Sequence, residues 1–441
     1  MLFFKKKQEL LRFIWLSLSC KPGTTAFARL LKSGLDIPNG VYEADDGTLE
    51  ALFQKGSKIL LSLKNKELGQ AERILNYCEA TSIKIITYGS EAYPKKLSEI
   101  DNPPVLLYCK GTLPFAEGKL SVGIVGARSM TAYGKKYAFS IASALASTGS
   151  IIVSGMARGI DAVASAGAIY AKGKIVVVLG CGIDKVYPPE HRRLSMEIAR
   201  NGAVLSEYPP GYAGDGYCFP IRNRLISALS DGLFVVEGDS ISGALITAKA
   251  ANKQGKTIFA LPGAVDRITS EAPQILLKRG AHVADCADDI LKALYIEYPN
   301  NEMVQLLRQK EPTVELIDSV LDYYGIYNER MSPFSRKSAP DPDAFPASTI
   351  ARYQRKRKEP IEDRQAASMT VAAQSKPLDE RTRAVYEVLQ KDNALTIDDI
   401  QALVPHLQMR EVISSLSKLS VQGLAKSTSG ERYKRSSSEI E

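Results

Sequence analysis

The chain is poor in the residues that build stapled or metal-bound domains. Its six cysteines, Cys20, Cys78, Cys109, Cys181, Cys218 and Cys286, are widely spaced and form no Cys-x-x-Cys pair. That spacing argues against a disulfide framework and reads as reduced, mostly buried thiols. Only three histidines occur, His191, His282 and His406, too scattered to supply a zinc site with the cysteines. No apolar run is long enough to span a bilayer. A run of about ten apolar residues near the N-terminus could pass for the core of a signal segment. It is approached through Glu9 and Arg12, and no clear small-residue cleavage site follows. The chain therefore reads as cytoplasmic, with no membrane partner.

Catalytic signatures are also scarce. There is no Gly-x-Ser-x-Gly elbow and no compact Asp/Glu/His metal set, and no Cys–His pairing can be read from the sequence. Glu207 and Glu237 stand at predicted strand ends, so a hydrolase working through one carboxylate stays open. No cofactor or metal is expected. The formal charge of +8 suits a polyanion without requiring one. Apolar residues make up 45% and charged residues 24% of the 441, an ordinary soluble composition. The length exceeds what one core organises and predicts about two to four domains.

Residues 1–80 read as a small helical domain, of the sterile-alpha-motif or helix-hairpin-helix kind. Leu10, Leu11, Ile14, Leu16 and Leu18 precede the turn Lys21-Pro22-Gly23, and Phe27, Leu30 and Leu31 recur at helical spacing. From 81 to 295 short apolar runs alternate with amphipathic stretches. Strands are predicted at Ser121–Val125, Ile151–Ser154, Ile175–Leu179, Ala203–Ser206, Leu233–Glu237 and Thr257–Ala260, with helices between several of them. This alternation predicts an α/β class: an extended Rossmann-like parallel sheet covered on both faces. Residues 296–376 form an extension and linker with a helix expected in 301–325. They carry the basic run Arg352-Tyr-Gln-Arg-Lys-Arg-Lys358. Residues 377–436 regain periodicity, three helices and a small hairpin, the outline of a winged helix.

Three segments at predicted strand ends are candidates for phosphate binding. Gly123-Ile-Val-Gly126-Ala-Arg128-Ser129 joins a strand to a helix through a glycine turn carrying a cation. Turn amides and a helix N-terminus favour an anion, and a guanidinium suits phosphate. The turn is neither a dinucleotide fingerprint nor a Walker loop, since no Gly-Lys-Ser/Thr follows it. The plain alternative is that the glycines only permit a tight turn. The second segment is Ser154-Gly155-Met-Ala-Arg158-Gly159-Ile-Asp161. Loops at the carboxyl ends of parallel strands converge, so the two should build a phosphate-sized cradle. Asp161 reads as a helix-start residue. The third comprises Arg222-Asn223-Arg224, expected just before an apolar helix, and Ser242-Gly243 opening another helix that carries Thr247. Arg222 and Arg224 either meet a ligand or tie down their own loop by bonding carbonyls, and the sequence leaves both readings open.

Together these motifs resemble the DNA-processing protein A family (DprA, also called Smf). The resemblance is carried, in order, by Tyr93-Pro94, Pro103-Pro104-Val-Leu-Leu-Tyr108, GIVGARS, SGMARGID, LGCGIDKVYPPEH, SEYPPG, FPIRNRLIS, SGALITA and LPG. It implies single-stranded DNA binding, a homodimer, and loading of the recombinase RecA during natural transformation. It also implies that Arg128 contacts DNA and that Lys185 lies where a basic contact is common. Departures are Ala272-Pro273-Gln274, where the family has Gly-x-Asn, and Ser165, where it has histidine. A nucleotide-processing enzyme on the same kind of core is the alternative, which fold alone does not decide. A sequence-specific transcription regulator would rest on 378–435 only and leave the large core unexplained.

Overall fold

The run Ile175–Leu179, Ile-Val-Val-Val-Leu, shows no polar alternation, and all five residues are buried. A strand covered on both faces has no solvent side to mark, and that is the state of the central sheet. The computed structural model describes residues 2–115, 119–214, 216–294, 312–326, 379–389, 395–408, 411–412, 415–416, 419, 425–428 and 432–435. Two compact units divide the chain, Met1–Arg357 and Lys358–Glu441.

The first unit opens with six helices: α1 (Leu2–Cys20), α2 (Ala26–Lys32), α3 (Asn39–Glu43), α4 (Asp46–Leu52), α5 (Lys58–Lys64) and α6 (Gly69–Ala80). Then follow β1 (Lys84–Thr87), α7 (Lys95–Ser98), β2 (Leu106–Gly111), β3 (Ser121–Val125), α8 (Ala132–Ser147), β4 (Ile151–Ser154), α9 (Ile160–Tyr170), β5 (Ile175–Leu179), α10 (Arg192–Asn201) and β6 (Ala203–Ser206). The remainder is α11 (Cys218–Ala228), β7 (Gly232–Val235), α12 (Gly243–Lys253), β8 (Thr257–Ala260), α13 (Glu271–Lys278), β9 (His282–Val283), α14 (Ala287–Leu294) and α15 (Val314–Tyr324).

The nine strands form one sheet in the order β1-β2-β6-β5-β4-β3-β7-β8-β9. From β6 to β9 every neighbour is parallel, while β1–β2 and β2–β6 are antiparallel. The strand order reverses at β3, so the topological switch point lies at the carboxyl ends of β3 and β7.

Successive residues of β5 enter two different cores. Ile175, Val177 and Leu179 join Phe139, Ile141 and Val163 of α8 and α9, while Val176 and Val178 join Leu225, Ile226 and Ala248 of α11 and α12. Each such fully buried aliphatic side chain stabilises the fold by about 1.5–3 kcal/mol. Gly123 sits within β3 because a Cβ there would lie 2.7 Å from Ser230 Oγ and 2.9 Å from Leu233.

Helices α1–α6 are continuous with the first core, to which Ile14, Trp15, Phe27, Leu60 and Leu75 contribute. The Lys21-Pro22-Gly23 turn ends α1 and faces α11, where a Cβ on Gly23 would meet Ile221 at 2.5 Å. Helix α15 falls within the 301–325 stretch expected to be helical. It buries Ile317, Val320, Leu321 and Tyr324 in the same core and is held by the Lys135–Asp318 ion pair. The basic run 352–358 lies outside the described residues.

The second unit contains α16 (Glu380–Val388), β10 (Leu395–Thr396), α17 (Ile397–Leu403), β11 (Ala425–Thr428) and β12 (Arg432–Arg435). Its antiparallel sheet runs β10-β12-β11, and Val385, Ile400, Val412, Leu416 and Leu419 form its own core. A reciprocal cap between Thr396 and Asp399 starts α17. The third of the three helices expected in 377–436, at 408–422, falls largely outside the described residues; 411–412, 415–416 and 419 are helical.

Candidate nucleic-acid interface

The loops after β3, β4, β5 and β6 gather at the carboxyl edge of the sheet. Arg128, in the first loop, is exposed, and its guanidinium lies 5.5 Å from the centroid of the Phe219 ring. Arg222 approaches the same ring at 6.0 Å. The ring of Tyr187, 41% exposed, stands 5.2 Å from that of Phe219 at 41°. Tyr212 stacks on Tyr208 at 4.8 Å, and Tyr217 is 81% exposed. A cation beside accessible ring faces is the chemistry that single-stranded nucleic acid meets, phosphate on the charge and bases on the rings.

The convergence of Gly126 with the Gly155–Gly159 loop is present, but the expected phosphate-sized space is filled from within. The carboxylate of buried Asp161 faces the backbone N–H groups of Ala157, Gly126 and Gly155, which favour its charged form. A Cβ on Gly155 would fall 2.6 Å from Asp161 Oδ2 and 2.7 Å from both terminal nitrogens of Arg222. One on Gly126 would lie 2.7 Å from Ile160. Gly159, at φ +73°, sits against the carbonyls of Ala127 and Arg128, and the Ile160 N–H donates to Ala127 O at 3.1 Å. These glycines are therefore needed for close packing between the loops. Asp161 is the second residue of α9, whose N-cap is Gly159, and its carboxylate reaches the loops of β3 and β4. Burial pushes the Asp161 carboxyl up, against the pull of Arg222 and the three amides.

Arg222-Asn223-Arg224 lies inside α11 instead of before a helix, because α11 starts at Cys218. Arg222 is buried and donates from Nη1 to the carbonyls of Gly155 (2.8 Å) and Val178, and from Nε to Asn223 Oδ1. Arg224 is also buried, and its Nη2 bonds both oxygens of Glu207 at 2.7 and 2.6 Å. Of the two open readings, carbonyl bonding describes Arg222, whereas Arg224 answers a buried carboxylate. A helix turns residues 222 and 224 about 200° apart, so they cannot share a target.

The other sequence candidates divide between rim and scaffold. Arg158 is half-buried and pairs with Glu190 at 2.6 Å, while exposed Lys185 lies 3.4 Å from Asp184. Ser129 is half-buried beside Arg128. Ser154 is buried and donates to Ile124 O, and Thr247 is buried and donates to Gly243 O. Ser242 caps α12 by accepting from Ala244 N, and exposed Gly243 lies within 3.5 Å of Asn223 Nδ2 through its carbonyl.

Several participants were not among the expected site residues. Tyr187, Tyr212, Tyr217 and Phe219 belong to the LGCGIDKVYPPEH–SEYPPG–FPIRNR stretch, whose aromatic density was the available signal. Glu237 is buried and accepts from the Thr131 N–H at 2.9 Å and from the Thr131 hydroxyl, which places it at the start of α8. The two departures are absorbed locally. Gln274 donates to Ala264 O at 3.2 Å and Gly263 O at 3.4 Å, and Ser165 donates to Asp161 O at 2.8 Å.

A doubly wound sheet whose carboxyl-edge loops are packed on Asp161, with cations and rings around them, defines a Rossmann-like core. The sequence model of DNA recombination-mediator protein A matches residues 84–295. The DNA processing protein DprA of Bacillus subtilis (strain 168) is 38% identical over 222 residues, covering 50% of this chain and 75% of the relative. Protein Smf of Synechocystis is 40% identical over 214 residues, covering 48% of this chain and 54% of the relative. The X-ray structure of DNA processing protein A from Streptococcus pneumoniae superposes with a TM-score of 0.56 at 29% identity. It covers 63% of this chain and 95% of that one. The chain belongs to the DNA recombination-mediator protein A (DprA/Smf) family. Among the described residues no helix is long and apolar enough to cross a membrane.

Proposed function

We propose that this chain is a recombination mediator that binds single-stranded DNA along the carboxyl edge of its sheet, without catalysing a reaction. One observation carries the reading. The edge exposes Arg128 over Phe219, whose ring neighbours that of Tyr187, whereas the space between the loops already holds Asp161. A free mononucleotide would have to displace a carboxylate that faces three amides and neighbours Arg222. A strand can lay phosphates on the rim and bases on the rings without entering the slot. Arg128, Lys185 and Arg158, with Ser129, Asn223 and Gly243, form the proposed contact set. Arg222, Arg224, Ser154 and Thr247 form the scaffold beneath it.

The same observations weigh against the nucleotide-processing alternative. Glu207 is committed to Arg224 and Glu237 to Thr131, so neither of the strand-end carboxylates is placed as a general base. Anisotropy with a labelled oligonucleotide, run beside nucleotide hydrolysis on one preparation, tests both readings. Salt-sensitive strand binding without turnover is expected; turnover without strand binding overturns the proposal.

Family membership supports the further steps: a homodimer, loading of a RecA recombinase onto incoming DNA in transformation, and a cytoplasmic location. A groove of 820 Å³ lined by Ile246, Lys249, Ile258, Ile275, Arg279 and His282 runs along the β9 edge of the sheet. Both residues of β9 are exposed, an edge suited to covering by a second copy. The helices and three-stranded sheet of the second unit support a winged-helix reading, and α1–α6 that of a helical N-terminal module.

A further inference from the structure

We propose that the buried pair Asp161–Arg222 positions Arg128 for the strand, so that neither member touches DNA and both set its affinity. The inference rests on reading the 126–129 loop as a strand contact. Asp161 is 6% exposed and negatively charged when ionised, which makes it unsuited to meet phosphate. What it does reach is the backbone on either side: the amides of Gly126, two residues before Arg128, and of Gly155 and Ala157. Arg222 closes the arrangement from α11, donating to Gly155 O at 2.8 Å and to Val178 O at the end of β5. The ends of β3, β4 and β5 thus meet around two neighbouring buried groups of opposite charge, with Arg222 bonded to the carbonyls of Gly155 and Val178.

The pair also sets the floor under Arg128. Phe219 lies with the Arg222 guanidinium 6.0 Å and the Arg128 guanidinium 5.5 Å from its ring centroid. The ring thus stands between a buried cation bonded to two carbonyls and the exposed guanidinium of Arg128. The Ile160 N–H to Ala127 O bond adds a second tether one residue from Arg128. Buried opposite charges are weak evidence for stability, but they can fix geometry. Here the fixed geometry is that of a ligand-facing side chain, and pre-organisation of this kind raises affinity by reducing what must be ordered on binding.

The test uses the full-length protein, a labelled thymidine oligonucleotide and a double-mutant cycle. Asp161→Asn keeps the size of the side chain but loses its charge and offers the amides a single oxygen. It should weaken strand binding about ten-fold, mainly through faster dissociation. Asp161→Asn combined with Arg128→Ala should bind no more weakly than Arg128→Ala alone, because both remove one contact. Amide exchange in the peptide spanning 124–130 should accelerate in Asp161→Asn. Arg222→Lys keeps a positive charge beside Asp161 but lacks the fork, and it carries the same cycle where Asp161→Asn fails to fold. Losses that add in the double variant, or an Asp161→Asn protein that binds like the parent, overturn the positioning role. Parental binding by Arg128→Ala instead removes the strand contact itself, an outcome read in its own arm of the cycle.

Discussion

Arg128 is exposed on a turn pinned from below, and no carboxylate among the described residues pairs with it. Arg128→Ala should therefore lose a charge-assisted phosphate contact of about 1.5–3 kcal/mol, a roughly ten- to hundred-fold weaker Kd. Arg352→Ala, within a run whose neighbouring cations substitute for it, should cost only a few tenths of a kcal/mol. Arg128→Lys should recover part of the affinity, since an ammonium keeps the charge without the fork. Anisotropy titrations with circular dichroism as a folding control decide this; equal losses in the two alanine variants would mean the turn is structural. Glu190 makes the opposite case. Its carboxylate engages Arg158 at 2.6 Å and competes with any phosphate for it, so Glu190→Gln should tighten strand binding several-fold at low salt. Weaker binding by that variant would show that the pair orders Arg158 for the ligand.

At the scale of elements, β3 and β7 are joined at their starts by a partly buried polar cluster. Asp231 accepts from Lys96 at 2.6 Å, and from the Ser121 N–H at 2.8 Å and hydroxyl at 2.9 Å. Burial works against ionisation of Asp231, but Lys96 and Ser121 outweigh it and hold the carboxyl below its ordinary value of 3.8. A depressed folded-state carboxyl adds stability that is full above the unfolded value. That contribution is lost as pH falls from about 4 through the folded one. Asp231→Asn should thus lower stability at pH 7 by about 1–2 kcal/mol, and the gap to the parent should close as pH falls below 4. Urea unfolding at several pH values measures it, and a gap independent of pH would assign the effect to lost packing. The sheet was legible in the sequence because β-branched runs such as Ile175–Leu179 have no other comfortable home. The place of Arg222-Asn223-Arg224 was not, because Phe219-Pro220 resembles a turn while Pro is tolerated in the first turn of α11.

For the whole molecule, the first unit contains the proposed strand contacts and the second has a separate core. A chain ending at Ile326 should keep most of the single-strand affinity. One ending at Arg357 should bind more tightly at low salt, because it adds most of the basic run. Its log–log salt slope should steepen by about 0.7 for each extra phosphate neutralised. Loss of binding in both truncations would move the site to the second unit. Removing residues 2–80 is a different experiment, since Trp15, Phe27 and Leu75 share the core of the sheet and their loss should unfold it. Light scattering at micromolar concentration should show a dimer, and Ile246→Lys in the β9-edge groove should shift it toward monomer. A monomeric parent would remove the dimer from the proposal.

Periodicity, turn residues and the order of glycine motifs determined by themselves that a parallel sheet runs through 121–260 and that its loops carry cations. Those properties are local or additive along the chain. What filled the space between the loops was decided only by the tertiary structure. Asp161 and Arg222 are 61 residues apart in sequence, and only the packing of α9 and α11 on opposite faces of the sheet brings both to Gly155. The same glycines that signal an open anion cradle also permit a chain to bring its own carboxylate there. A missing Cβ creates room without recording what occupies it.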